Sequence, residues 1–274
     1  WAVRHGMGLA RARAPRYLLL TDADIAHAPS SLRELVAAAE TGGFDLVSLM
    51  ARLRVASLWE RLVVPAFVYF FAQLYPFRWI NRPPGTTVLS VRSRTAAAAG
   101  GCVLLRAEAA ERAGVPDTIR QAVIDDVSLA RAVKRTGGRI WLGLADHVDS
   151  VRPYPRLHDL WHMVARSAYA QLRHNPLVLT GTVAGLALVY LLPPVGLCAG
   201  LVTGAVDTAT VSGLAWLVMT GTYLPMLLYA LMTVDSAVQH YRGRGAAWKG
   251  RTYARPTSAD ASPRTSPEAA PEQQ

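Results

Sequence analysis

The sequence predicts an α/β protein: a partial, Rossmann-like parallel-sheet domain, then interfacial helices, then a C-terminal transmembrane helical hairpin. Three observations predict it. Short apolar runs alternate with amphipathic helical segments up to about residue 150, the pattern of βαβ units. Apolar residues make up 51% of the chain and concentrate after Pro176. The net charge of +10 is carried almost wholly by Arg, part of it beside apolar segments, as charge at a membrane surface is.

The elements follow in order. Ala2–Ala14 sets small and apolar residues against Arg and reads as a helix. Tyr17–Thr21 is an apolar run that reads as a buried strand. Ser31–Thr41 is an amphipathic helix, with Leu32, Leu35, Val36 and Ala39 on one side and Gly42-Gly43 closing it. Phe44–Met50 is a second strand. Leu58–Ile80 is apolar and aromatic but broken by Pro65 and Pro76, and its uninterrupted core of about ten residues is too short to span a bilayer. Flanking Arg61, Arg78 and Arg82 suit an interfacial segment, and a buried core helix fits equally well. Asn81–Thr95 is a polar loop. Ala96–Arg106 brings small residues into a strand, Glu108–Ala113 is a short helix, Ile124–Arg135 a longer one, and Arg139–Leu144 a strand.

His158–His174 is amphipathic and basic, and reads as an interfacial helix leading into the membrane. Leu177–Val206 is apolar but interrupted by Pro193-Pro194. Its second part, Val195–Val206, is about 18 Å long as a helix, too short to cross alone. Gly213–Val234, at about 22 residues, is long enough. Arg166 and Arg173 precede the first segment, and Arg242, Arg244, Lys249 and Arg251 follow the last. The loop expected at Asp207–Ser212 has no Lys or Arg, so two crossings, one kinked helix and one straight, keep both basic flanks in the cytoplasm. Arg255–Gln274 reads as a disordered tail. The expected division is therefore 1–157, 158–176, 177–235 and 236–274.

Two function classes are disfavoured. No basic-aromatic interleaving points to nucleic acid. Cys102 and Cys198 lie far apart in unlike surroundings and suggest neither a disulfide framework nor a zinc site.

The chemistry starts where Tyr17–Thr21 runs into Asp22-Ala23-Asp24. In open α/β sheets the ligand crevice lies at the carboxyl ends of the strands. With only Ala between them, both carboxylates can approach one hard cation, Mg²⁺ or Mn²⁺, shared with substrate phosphates. Acids before a first helical turn also serve as caps, so that reading stays open. Asp125-Asp126 opens a helix about a hundred residues later. One acid suffices as a cap there, and the second is left for chemistry. One pair can hold a metal on a diphosphate while the other supplies a carboxylate base, the two needs of sugar transfer from a nucleotide donor.

On these residues the chain resembles the inverting family 2 glycosyltransferases of the GT-A fold. Asp22-Ala23-Asp24 matches their Asp-x-Asp. Asp125-Asp126 and the helix ending Arg135-Thr136-Gly137 match their Glu-Asp pair and its Arg-x-x-Gly helix end, with Asp125 where Glu is usual. Ala99-Gly100-Gly101-Cys102-Val103-Leu104-Leu105-Arg106 matches their small-residue strand, and Trp248–Tyr253 also looks like these enzymes. Leu58–Ile80, Arg152-Pro153-Tyr154-Pro155 and Met163–Tyr169 look like the hopene-associated group. The resemblance implies Asp24 as metal ligand, with Asp22 contacting donor or metal. It implies Asp126 as catalytic base with Asp125 beside it, and Gly101 and Cys102 lining the cleft. Of the processive enzymes' Gln-x-x-Arg-Trp only Arg166 is present, directed to the diphosphate, which argues against a polysaccharide synthase. The family's opening strands would precede Trp1, so the chain reads as N-terminally truncated.

The expected function is a glycosyltransferase anchored in the inner (cytoplasmic) membrane, multi-pass, with its catalytic domain in the cytoplasm. It would use a divalent cation, a nucleotide-sugar donor and a lipid acceptor, for which the subgroup implies a hopanoid alcohol. Two alternatives stand beside it: a non-catalytic membrane protein with a degenerate transferase domain, and a metal-dependent phosphate-ester hydrolase.

Overall fold

A computed structural model describes residues 2–83, 95–120, 122, 124–243, 247–248 and 251–252. The first strand forms as its apolar run demands: β1 is Tyr17–Thr21, after helix α1 (Ala2–Arg11). A three-residue strand, β2 (Ile25–His27), follows the Asp22–Asp24 turn. Helix α2 (Ser31–Gly42) ends at Gly43, whose φ of 59° is the left-handed conformation a helix C-cap uses. Then come β3 (Leu46–Arg52), α3 (Leu58–Leu74), α4 (Phe77–Ile80), β4 (Cys102–Arg106), α5 (Ala107–Arg112), α6 (Asp125–Arg135) and β5 (Ile140–Ser150).

The sheet is mixed, which corrects the parallel-sheet expectation. Its order is β1-β4-β3-β5-β2. Only β3 and β5 pair parallel; β4 lies antiparallel between β1 and β3, and β2 antiparallel on β5. β1 and β3 do run the same way, as a βαβ unit requires. Alternating apolar runs reveal that direction but not a later strand inserted between them.

Side-chain alternation gives each face its own core. Val103 and Leu105 of β4 join Leu46, Ile140 and Leu142 under α6, where Val127, Ala130 and Val133 are buried. Cys102 and Leu104 face the other way, onto Leu35 and Ala39 of α2. β5 extends well past the expected Leu144. Its second half carries Asp146, His147 and Asp149, pairs with short β2 at the sheet edge and meets β3 again at Arg52, so its apolar signature is weak.

α3 runs straight through Pro65, where a break was expected. A capping box starts it: the Ser57 hydroxyl accepts from Glu60 N–H, and Glu60 reaches back to Ser57 N–H. Burial of Val63, Val64, Ala66 and Phe71 offsets the one hydrogen bond that Pro65 removes. α3 packs against α7 (Leu157–Gln171) and α9 (Val206–Tyr241), with Phe70 stacked on Tyr229 at 3.9 Å.

Between them runs α8 (Pro176–Thr203), one helix despite Pro193-Pro194. It is long and apolar enough to cross a membrane, and among the described residues it is the one helix that is. The expected loop Asp207–Ser212 is instead the first turns of α9. The connection is only Gly204-Ala205, with Gly204 at φ 72°. Glycines let the two helices close up: a Cβ on Gly200 would lie 2.6 Å from Ala209 N, and one on Gly196 2.5 Å from Ser212 Oγ. Past α9, Ala247–Trp248 pairs antiparallel with Arg251–Thr252. Most of the expected polar loop Asn81–Thr95, and the tail Arg255–Gln274, fall outside the described residues.

Candidate active site

The carboxyl end of β1 places the first acid pair. Ile25 N–H donates to Asp22 O at 3.3 Å, closing the turn that holds Asp22 and Asp24. Thr21 Oγ1 donates to Gly101 O at 3.0 Å and lies 2.9 Å from His27 Nε2, so this turn is tied to the start of β4. Gly101 allows the approach: a Cβ there would meet Ile25 Cδ1 at 3.1 Å. Asp24 is gripped from the end of β5. Val151 N–H donates to Asp24 O at 2.9 Å, and Arg152 Nη1 lies 3.6 Å from Asp24 Oδ2.

The second pair opens α6. Asp125 Oδ1 accepts from Asp126 N–H at 3.1 Å, and the N-cap position itself, Ile124, makes no side-chain cap bond. Asp126 Oδ1 accepts from Val127 N–H at 2.7 Å, and its Oδ2 from Gly100 N–H at 2.9 Å. Burial, and then the charge of Asp125, push the Asp126 carboxyl up to about 7 against those two N–H donors. Asp22 adds to the upward push. The two acid pairs thus meet electrostatically, although about a hundred residues separate them.

Arg166, on α7, comes to the same place. Burial raises the Tyr154 phenol; Arg152 and Arg166 pull it down, and Asp24 and Asp22 push it up. Arg152 also lies over the Tyr154 ring, 5.5 Å from its centre. The charges of two carboxylates and two guanidiniums therefore all bear on one phenol. Arg152 and Tyr154 appear in the sequence only as a resembling motif, Arg-Pro-Tyr-Pro after a strand; two prolines fixing an Arg and a Tyr at a strand end was the available signal. Tyr75, at the end of α3, was missed too: burial, with Asp126 nearby, raises its phenol, and Arg131 opposes this.

One expected residue is not where it was placed. The Cys102 thiol was expected to line the cleft but is buried against α2, and burial pushes it up to about 11. As the first residue of β4 it alternates to the core face, so a neutral, inert thiol results.

Glu60 is a further missed group. It is 1% exposed, yet accepts from the N–H groups of Ala56, Ser57 and Tyr154 at 2.9, 2.8 and 2.7 Å. Ser57 Oγ donates to Tyr154 O at 3.3 Å. The start of α3 thereby holds both backbone groups of Tyr154.

Among the described residues no three His, Cys, Asp or Glu side chains gather as a metal cage. Asp22 and Asp24 supply hard oxygen donors, which fit a cation that takes its remaining ligands from water and substrate phosphates, as Mg²⁺ does. Comparison with protein-family models gives no match for this chain, and neither does comparison with curated proteins.

Proposed function

We propose that the chain is a membrane-anchored, inverting glycosyltransferase of GT-A type, moving a sugar from a nucleotide-sugar donor to a lipid hydroxyl. One observation carries the reading: Asp126, set near neutrality beside the Asp22/Asp24 turn. A base works best when its pKa lies near the operating pH. Asp126 takes the proton of the attacking acceptor hydroxyl. The acceptor oxygen bonds to the anomeric carbon as the bond to the diphosphate breaks, and the diphosphate leaves with the electron pair. Asp125 holds the backbone of Asp126. Arg152 and Arg166 supply positive charge on the side where the diphosphate departs. Bound at Asp24 and Asp22, a divalent cation would neutralise charge developing on that diphosphate.

The apolar surface of α8, which suits a bilayer, supports a lipid acceptor within reach of the chain. We place α8 and α9 in the inner (cytoplasmic) membrane as two crossings, with the sheet domain in the cytoplasm; a hopanoid alcohol is the acceptor that the sequence resemblance suggests.

The test is transfer from a panel of nucleotide sugars to a membrane lipid extract, with the full chain reconstituted in vesicles. Sugar should appear on lipid only when Mg²⁺ or Mn²⁺ is present, and Asp126→Asn should lower kcat about 10²–10⁴-fold. Asp125→Asn should cost less. Release of sugar phosphate and nucleoside monophosphate without acceptor would turn the reading to a phosphate-ester hydrolase. Full turnover by Asp126→Asn would move the base elsewhere.

A further inference from the structure

Two histidines at the start of α7 take no part in the chemistry above. His158 and His162 stand four residues apart on this helix, so both side chains leave from one face. Their Nε2 atoms lie 2.9 Å apart, and their ring centres 4.2 Å apart with the ring planes at 74°. The rings are thus farther apart than the nitrogens. They splay outward, and the two Nε2 positions converge on one point. The Asp159 carboxylate, 3.8 Å from His158 Nδ1, favours the tautomer that carries its proton there. His158 Nε2 is then left with its lone pair. A carboxylate behind the ring is also what orients metal-ligating imidazoles. Both histidines are exposed, so water and ions reach the point they face.

We propose that His158 and His162 form a two-imidazole site for a borderline divalent metal ion such as Ni²⁺, Cu²⁺ or Zn²⁺, with water as the remaining ligands. The i, i+4 spacing is the one by which paired histidines on a helix hold Zn²⁺. At a metal–imidazole distance of about 2.0–2.1 Å, two nitrogens at right angles around an ion lie about 2.9 Å apart. The pair already has that spacing, which suits a square or octahedral ion. A tetrahedral ion asks the exposed rings to open by about 0.5 Å. Nitrogen donors select against the hard cation assigned to Asp22 and Asp24, which prefers oxygen. The two sites therefore differ in the metal they take, and this one stands whether or not the chain transfers sugar. An ion held there bridges one turn of helix and ties down the start of α7, just after the Arg152–Tyr154 segment.

The test is calorimetry on the tag-free full chain in detergent, titrating Ni²⁺ with Mg²⁺ saturating so that oxygen-donor sites are filled. The parent should bind Ni²⁺, and His158→Ala and His162→Ala should each weaken that binding about tenfold or more, since loss of even an outer-shell partner costs that much. Both positions are exposed, so the variants should fold as the parent does, and melts without metal check this. Ni²⁺ should also raise the melting temperature of the parent more than that of either variant, because it binds the histidines only where the helix brings them together. Equal Ni²⁺ binding by the parent and both variants places the ion elsewhere and overturns the proposal. Weakening by one variant alone overturns it too, because the site is then a single adventitious imidazole. So does a folded parent chain that takes up no Ni²⁺. None of these outcomes touches the transferase reading, whose test is sugar transfer.

Discussion

At the scale of the residue, Asp126 is under opposed influences. Two backbone N–H groups favour its charged form, and burial with Asp125 disfavours it more, bringing it to about 7. An unfolded Asp titrates near 3.9. Between those values the native chain holds the proton that the unfolded chain releases, so this residue's contribution to stability falls as pH rises through the window. Asp126→Asn is therefore expected to melt above the parent at about pH 8 and to lose that advantage by about pH 4. Parent turnover should rise with pH through an apparent pKa of about 7. Thermal melts of both proteins across that range check it; a variant that melts lower at the alkaline end would show that Asp126 mainly serves as a cap. The sequence exposed Asp125-Asp126 as a pair but not their surroundings. Gly100 N–H and Asp22 reach Asp126 only because β4 returns between β1 and β3, and that is a property of topology.

At the scale of the element, α3 shows what packing adds to pattern. Pro65 reads as a breaker in one dimension, yet the Ser57/Glu60 capping box and four buried apolar residues carry the helix through it. The box is visible in sequence as Ser-x-x-Glu; its second task, holding Tyr154, is not, since those residues lie 94 apart. Burial alone would raise the Glu60 carboxyl, but the N–H groups of Ser57, Tyr154 and Ala56 outweigh it and hold it at about 2. With an unfolded value near 4.3, its stabilisation is full above that pH and fades as pH falls toward 2. Glu60→Gln should cost about 1–3 kcal/mol at neutral pH, because an amide nitrogen then faces N–H donors. Chemical denaturation at about pH 7 and about pH 3 should show the gap narrowing at the lower value. A gap of equal size at both would mean that side-chain shape, not charge, secures Tyr154.

At the scale of the whole molecule, α8 and α9 decide where the sheet domain sits. Gly200 meets Ala209 and Gly196 meets Ser212 near the turn, and Leu179 packs on Tyr169, Leu172 and Ala237 at the other end. The two helices are therefore antiparallel along the length of α8. That length, 28 residues, is about 42 Å, against a hydrocarbon core of about 30 Å. Whatever depth α8 crosses, α9 crosses back beside it. Its second half is also docked: Trp161 Nε1 donates to Asp235 Oδ2 at 2.7 Å, and Tyr229 and Met232 pack on α3 and α7. The start of α8 and the end of α9 lie together on the side of the sheet domain, which agrees with the basic flanks at Arg173 and Arg242. Reporters fused after Ser150 and after Gln274 should then both read cytoplasmic, and one inserted between Gly204 and Ala205 should read from the opposite side. A Gly204 insertion that also reads cytoplasmic would lay the helix pair along the membrane surface. Ser150 and Gln274 on opposite sides would require a crossing that α8 and α9 do not provide.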